Sequence, residues 1–337
     1  MLTANKKQKR DFMTDEKKNL FITDRKKEVL PDGGIRTSMM TEKGDIRQTK
    51  YCVFPGINLF YNDIHISNSY GKAKQGLDNI FEINHCREGR LECHVGDEYF
   101  YISPGDISMH LIHSVDRRES FPTSHYHGVT VQIDLNKCPA SLTEFLPDIN
   151  VKPAQIAEKF GLQNKNFYIL RRMPEIEHIF SELYKAPETV KKGYFSLKIL
   201  ELMLFLDGIN PTVEQNEAVS ISGVQASTAH EISRYINANL DKKLTLKELS
   251  EKFDISVSYI KNIFNAVYGM SVTKYIRSQR ISQAAALLEK TDRTVLDISG
   301  QLGYENSSKF AAAFRRVMGV SPAQYRKRGF NSRKEDV

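Results

Sequence analysis

Two short stretches near the C-terminus set hydrogen-bonding and basic side chains opposite an apolar stripe at helical spacing. In the first, Ile260, Ile263 and Phe264 are predicted to face a core, which leaves Val257, Ser258, Lys261, Asn262 and Asn265 outside. In the second, Phe310, Phe314 and Val317 are predicted inward, with Ser307, Ser308, Ala311, Ala312, Arg315 and Arg316 outward. The chemistry open to such a surface is hydrogen bonding to base edges. An amide such as Asn262 can pair bidentately with adenine, worth about 1–3 kcal/mol, while alanines offer only contact with thymine methyls. Lys309, Arg315, Arg316 and Arg326 are expected at phosphate oxygens, which position a protein without reading sequence.

A second set of reactive types lies in the first half of the chain. Glu82, Asn84 and Cys86 share one face of a predicted strand, and His125, His127, Val129 and Val131 share a face of another, so the two faces are expected to line a cavity. Glu82, His110, His125 and His127 are the ligand candidates there. His85 and His113 are further imidazoles in this half, but the residues have no HxH on an early strand, and no metal is assigned. The four cysteines, Cys52, Cys86, Cys93 and Cys138, show no CxxC spacing and suggest neither a disulfide framework nor a zinc site; a reducing cytoplasm fits them.

The elements that must position these residues follow from periodicity. Short alternating segments at Ile80 to Cys86, Leu91 to Val95, Tyr99 to Ile102, Ile107 to Ile112 and Val129 to Leu135, split by Glu88-Gly89, Gly96-Asp97 and Pro104-Gly105-Asp106, predict an antiparallel barrel or sandwich. Helical stripes follow: Ile176, Ile179, Phe180, Leu183 and Tyr184, then Phe195, Ile199, Leu202 and Leu206. They are expected either to cover the sheet or to form a dimer seam. The division predicted is a basic mobile arm over 1–48 (or a short helix near Glu16 to Arg25), the sheet domain over 49–150, accessory helices over 151–207, a linker over 208–228, a helical domain over 229–328 and a charged tail over 329–337.

An internal repeat organises the helical domain. Ile260, Phe264, Gly269, Ser271, Tyr275 and Arg277 match Phe310, Phe314, Gly319, Ser321, Tyr325 and Lys327 at a shift of 50, and Leu246, Leu249, Ser250, Phe253 and Ile255 match Val295, Ile298, Ser299, Leu302 and Tyr304 at 49. Each copy reads as helix, tight turn, helix. Thr245-Leu246-Lys247-Glu248 is a capping box, Ser256 an N-cap, and Asn306 or Ser307 caps the last helix. Thr273 to Glu289 is apolar on two sides and is expected to brace both copies, with Arg280 as an internal ion-pair or capping residue. A polar second helix after a short turn is the layout that enters a major groove, and two of them would meet successive grooves roughly 34 Å apart.

Charge agrees with this division. The 337 residues carry +7, but His230 to Val337 alone holds 19 Lys and Arg against 11 Asp and Glu, a net +8, while Val29 to Ala229 is near −5. A basic third suits a polyanion. No uncharged apolar run approaches the ~18 residues of a membrane helix, and no secretory signal is read, so no membrane partner is expected.

The residues from about His230 to Lys327 resemble the AraC/XylS-type transcriptional regulators. The resemblance rests on Ser256-x-Ser258-Tyr259-Ile260-x-x-x-Phe264, Tyr275-Ile276-x-x-x-Arg280-Ile281, Ile298-x-x-x-Leu302-Gly303-Tyr304, Phe310-x-x-x-Phe314-Arg315-Arg316 and Gly319-Val320-Ser321-Pro322-x-x-Tyr325-Arg326. It implies α+β architecture: an N-terminal cupin-like β-barrel with accessory helices, and an all-α domain of two helix-turn-helix units. It also implies double-stranded DNA and RNA polymerase as partners, a small-molecule effector, a homodimer and an activator without cofactor. Base reading falls by position on Ser258, Lys261 and Asn262 in the first unit and on Ser307, Ser308, Ala311 and Ala312 in the second, where members often carry a longer polar side chain at the Ala312 position. Glu82-Ile83-Asn84 before Gly89, with Ser103-Pro104-Gly105-Asp106, is similar to cupin effector domains. A cupin-type metalloenzyme, an isomerase or oxygenase tethered to nucleic acid, is the rival reading.

Overall fold

The computed structural model describes residues 22–41, 44–66, 71–72, 79–95, 97–112, 117–144, 149–163, 167–211 and 220–327. Residues 1–21 of the expected arm, His113, part of the expected linker and the tail over 329–337 lie outside them. The chain divides into two units, 1–220 and 221–337.

Unit 1 carries twelve strands among its described residues: β1 Ile22–Val29, β2 Ile35–Thr41, β3 Gly44–Phe54, β4 Ile57–Ile66, β5 Gly71–Lys72, β6 Ile80–Gly89, β7 Leu91–Val95, β8 Glu98–Ile102, β9 Ile107–Ile112, β10 Arg117–Ser120, β11 Tyr126–Asp134 and β12 Tyr168–Leu170. Helices α1 Pro153–Lys159, α2 Pro174–Leu183 and α3 Lys191–Gly208 accompany them. One antiparallel sheet runs β1-β2-β3-β4-β11-β6-β9-β12, and a second contains β8-β7-β10-β5.

Parity decides what each face does. Leu59, Phe81, Ile83, Met109, Val129 and Val131 leave the large sheet on one side and join Ile176, Ile179, Phe180, Phe195, Ile199 and Leu202 of α2 and α3 in one core. On the other side Ile66, Cys86 and Tyr126 meet Leu91, Cys93 and Ile102 of the second sheet. Both predicted helical stripes are therefore spent on covering the sheet. α3 keeps a different row, Leu197, Leu204 and Phe205, exposed.

The expected arm is corrected over residues 22–41 and 44–48, which carry β1, β2 and the start of β3. Asp32-Gly33-Gly34 serves as a hairpin turn instead of a helix breaker in a mobile segment. The Leu30 N–H donates to the Gly34 carbonyl at 2.7 Å, Gly33 has φ +81°, and Asp32 accepts from the Tyr51 hydroxyl at 2.8 Å and the Lys191 ammonium at 2.5 Å. A Cβ on Gly34 would lie 2.8 Å from the Tyr51 ring. A charge-rich turn is thus tied down by one half-buried carboxylate.

Unit 2 holds α4 Gly223–Ala238, α5 Leu246–Phe253, α6 Val257–Tyr268, α7 Val272–Lys290, α8 Val295–Gln301 and α9 Ser307–Met318, with residues 322–327 helical beyond them. The expected linker ends earlier than predicted because Ser222 and Gln225 form a reciprocal capping box that starts α4 at Gly223. Among the described residues no helix is long and apolar enough to cross a membrane.

Candidate nucleic-acid interface

The first helix-turn-helix is α5 and α6. Thr245 and Glu248 make the predicted capping box, Asp254 takes the left-handed conformation at φ +52° to turn the chain, and the Ser256 hydroxyl accepts from the Tyr259 N–H at 3.1 Å. The Ser250 hydroxyl donates to the Ile255 carbonyl at 2.6 Å, which holds the turn closed. With Ile260, Ile263, Phe264 and Val267 buried, Ser258, Lys261, Asn262 and Asn265 are all exposed along the opposite side of α6. Val257 is half-buried.

The second unit is α8 and α9. A capping box of Thr294 and Asp297, not predicted, starts α8, and the Asn306 carboxamide accepts from the Ser308 N–H at 2.7 Å to start α9. Phe310 and Phe314 are buried, Ser308, Lys309, Ala312, Arg315 and Arg316 exposed, and Ser307 and Ala311 half-buried. Val317 departs from its predicted inward place and is 47% exposed; Met318 and Tyr325 pack on the core there instead. Arg326 is half-buried. Its guanidinium donates one hydrogen bond to the Arg293 carbonyl just before α8, which ties it to the unit.

The repeat is visible in ring geometry. Phe264 meets Tyr275 edge-on at 5.1 Å and 79°, and their counterparts Phe314 and Tyr325 do so at 5.4 Å and 77°. Between the copies, α7 divides its burial as expected: Tyr275 packs on α6, while Ile281, Ala284, Ala285 and Leu288 join Ile298, Leu302, Phe310 and Phe314. Arg280 on α7 donates to the Leu240 carbonyl at 2.9 Å and the Lys242 carbonyl at 2.7 Å, capping the chain after α4, with its guanidinium 5.7 Å from the Tyr304 ring in the second turn. Gly303, at φ +71°, sits where a Cβ would approach the Asp241 carbonyl to 2.6 Å, so the turn needs glycine twice over.

In unit 1 the four ligand candidates do not converge on one cavity. Glu82 and His110, 3.6 Å apart, point between the two sheets beside Asn84 and Ser108, whereas Val129 and Val131 go to the helix-covered side. The two faces expected to line one cavity lie on opposite sides of the same sheet. His127 lies at the end of β11 with His65 and Asp63, and His125 precedes it, its Nδ1 3.4 Å from the Thr123 carbonyl. A pocket of about 340 Å³ opens elsewhere, lined by His85, Arg87, Arg172, Glu177, Tyr184 and Lys185 among others. His85 stacks on Phe180 at 4.2 Å, and burial holds its pKa down to about 4, the neutral form, with Arg87 acting in the same direction. Sequence reasoning missed this pocket because its walls come from β6 and α2, which are joined only by the fold.

Comparison with known proteins agrees with the geometry of unit 2. The helix-turn-helix domain family matches residues 249–328. The melibiose operon regulatory protein of Escherichia coli (strain K12) is 37% identical over 93 residues, 28% of this chain and 31% of that protein. The HTH-type transcriptional activator AarP of Providencia stuartii is 31% identical over 102 residues, 30% of this chain and 76% of AarP. Of solved structures, the C-terminal domain of AraT, a response regulator from Geobacillus stearothermophilus, is 30% identical and covers 30% of this chain and 84% of its own, with a TM-score of 0.29. The chain thus spans about a third of the length of the melibiose regulator and about three quarters of AarP.

Proposed function

The chain belongs to the AraC-type helix-turn-helix regulators, and from that membership we propose that it is a sequence-specific, DNA-binding activator of transcription whose sheet unit senses a small molecule. The observation that carries this reading is the pair of capped helices, α6 and α9, each with its apolar side buried and its polar side uncovered in one basic unit. A helix can enter the major groove only with such a side free.

In this reading Ser258, Lys261, Asn262 and Asn265 read bases, with Lys261 and Asn262 dominant. Ser307, Ser308, Ala311 and Ala312 contribute shape and methyl contact, and Lys309, Arg315 and Arg316 neutralise phosphates. Activation rests on AarP, which is named an activator, and makes RNA polymerase the partner in the cytoplasm, where the DNA lies. The relatives are named as regulators, which favours this function over a cupin-type metalloenzyme.

For the effector, the pocket at His85 suits a small polar molecule better than Glu82, His110, His125 and His127 do together, because it is one cavity lined by Arg87, Lys185 and the Arg172–Glu177 ion pair. For dimerisation, the exposed row Leu197, Leu204 and Phe205 on α3 supports pairing of two sheet units.

The test is selection of bound duplexes from a random pool, by the wild-type chain and by the Lys261→Ala, Asn262→Ala double variant. The expected outcome is a defined motif for the wild type and none for the variant. An unchanged motif in the variant overturns the assignment of α6 as the reading helix.

A further inference from the structure

Three side chains outside the pocket and the helical units bring their metal-binding atoms to one point. Asp63 and His65 stand two residues apart on β4, hence on one face, and His127 is the direct ladder partner of Asp63 on β11. Asp63 Oδ1 is 2.7 Å from His65 Nε2 and 3.1 Å from His127 Nε2, and the two Nε2 atoms are 3.3 Å apart. A divalent ion with bonds of about 2.0–2.1 Å places neighbouring ligand atoms about 2.9 Å apart at right angles and about 3.4 Å apart in a tetrahedron. The observed edges fall in that range, apart from the 2.7 Å edge, which opens with a small turn of the carboxylate.

Hydrogen bonding leaves part of the cluster unexplained. Asp63 Oδ1 is shut off from solvent and accepts no well-directed hydrogen bond, although two imidazole nitrogens lie beside it. The two Nε2 atoms are within hydrogen-bonding reach of each other, but that contact leaves Asp63 Oδ1 without a donor, and all three atoms face a common centre. The other carboxylate oxygen, Oδ2, is 3.5 Å from Arg47, and Glu88 Oε2 lies 3.9 Å from His127 Nδ1, on the side away from the cluster. A carboxylate there favours the tautomer that turns the Nε2 lone pair toward the cluster. The ladder itself positions the set: β11 is bulged against β6 between His127 and Gly128 and remains in register with β4.

We propose that Asp63, His65 and His127 form a binding site for a divalent transition-metal ion of the zinc class. Two imidazoles and one carboxylate favour zinc, nickel or copper over magnesium or calcium, whose preferred ligands are all oxygen. All three side chains are partly exposed, so water or an external ligand completes the shell. A bound ion ties β4 to β11 beyond the point where the β11 ladder to β6 is disturbed, and so stiffens the rim of the sheet.

The experiment uses the untagged full chain, stripped with a chelator and titrated with zinc chloride by calorimetry, then with cobalt(II) followed by visible absorption. The expected result is one equivalent per chain, a rise in the melting temperature of the sheet unit, and a cobalt d–d spectrum without a thiolate charge-transfer band. His65→Gln and His127→Gln, which retain polar side chains of similar reach, are expected to lower affinity at least tenfold while the circular dichroism of the apo chain stays unchanged. Absence of zinc binding overturns the proposal, as does a thiolate band, which places the ion on cysteine, or binding that persists in the double variant. Should either variant misfold, the cobalt spectrum of the wild-type chain decides alone.

Discussion

The two helix-turn-helix units share a frame and differ in what they show the outside. Both start with a reciprocal capping box, Thr245 with Glu248 and Thr294 with Asp297, and both lock a phenylalanine against a tyrosine at the same angle. Both second helices end on a left-handed glycine, Gly269 and Gly319. Outside, α6 offers Lys261, Asn262 and Asn265, whereas α9 offers Ala312, Arg315 and Arg316. The comparison separates two kinds of constraint. Caps and most inward positions repeat, with Val317 the exception to buried Val267, while the uncovered sides differ, one carrying a lysine and amides and the other alanine and arginines.

The sharpest way to break the comparison is to remove its shared anchor. Phe264→Ala and Phe314→Ala should each cost about 3–5 kcal/mol, read as a drop in the urea midpoint of the helical unit. A large loss at one position with little at the other would show that the frames are not equivalent. Next in size is the exchange of outer chemistry. Asn262→Ala should erase about 1–3 kcal/mol of discrimination at one base position in competition binding. Ala312→Asn should add discrimination in the second half-site, by an amount toward the lower end of that range.

Smaller still is the effect on backbone contacts. Arg315→Ala and Arg316→Ala should weaken binding to all duplexes alike and flatten the dependence of log affinity on log salt by about one unit each, with the preferred motif retained. A changed motif would move these arginines to the bases. The smallest effect tests the caps: Thr245→Ala and Thr294→Ala should each lower stability by about 1 kcal/mol, equally in the two copies, by thermal or urea unfolding.

Legibility followed the range of the interactions. The Thr245 box, the Ser256 cap and the burial of Ile260 and Phe264 are local, and each was readable from residues within four positions. The strands at 80–89, 91–95 and 107–112 were readable from alternation. Which side of those strands would meet helices was not, because parity says that Glu82 and Ile83 face apart but not which layer lies beyond each. β1 and β2 were hidden by their charge, since the group that orders their turn, Asp32, finds its partner Lys191 far away in sequence. The Thr294 box is hard to read in the sequence because aspartate replaces the longer acid usual at its third position. The sequence does not link His65 and Asp63 to His127, since only the strand ladder brings them together.

The outermost strand of the large sheet carries a further consequence. β1 stands at the end of the strand order, and Asp24, Arg25, Lys26, Lys27 and Glu28 occupy five successive positions along it, all exposed. A sheet margin with open amide and carbonyl groups is a template on which another chain can crystallise fibre-like, and a dense mixed-charge fringe makes such docking costly by forcing ions out of water. This fringe keeps a long antiparallel margin wet, and stripping its charge would convert the same ribbon into an adhesive seam for fibril growth.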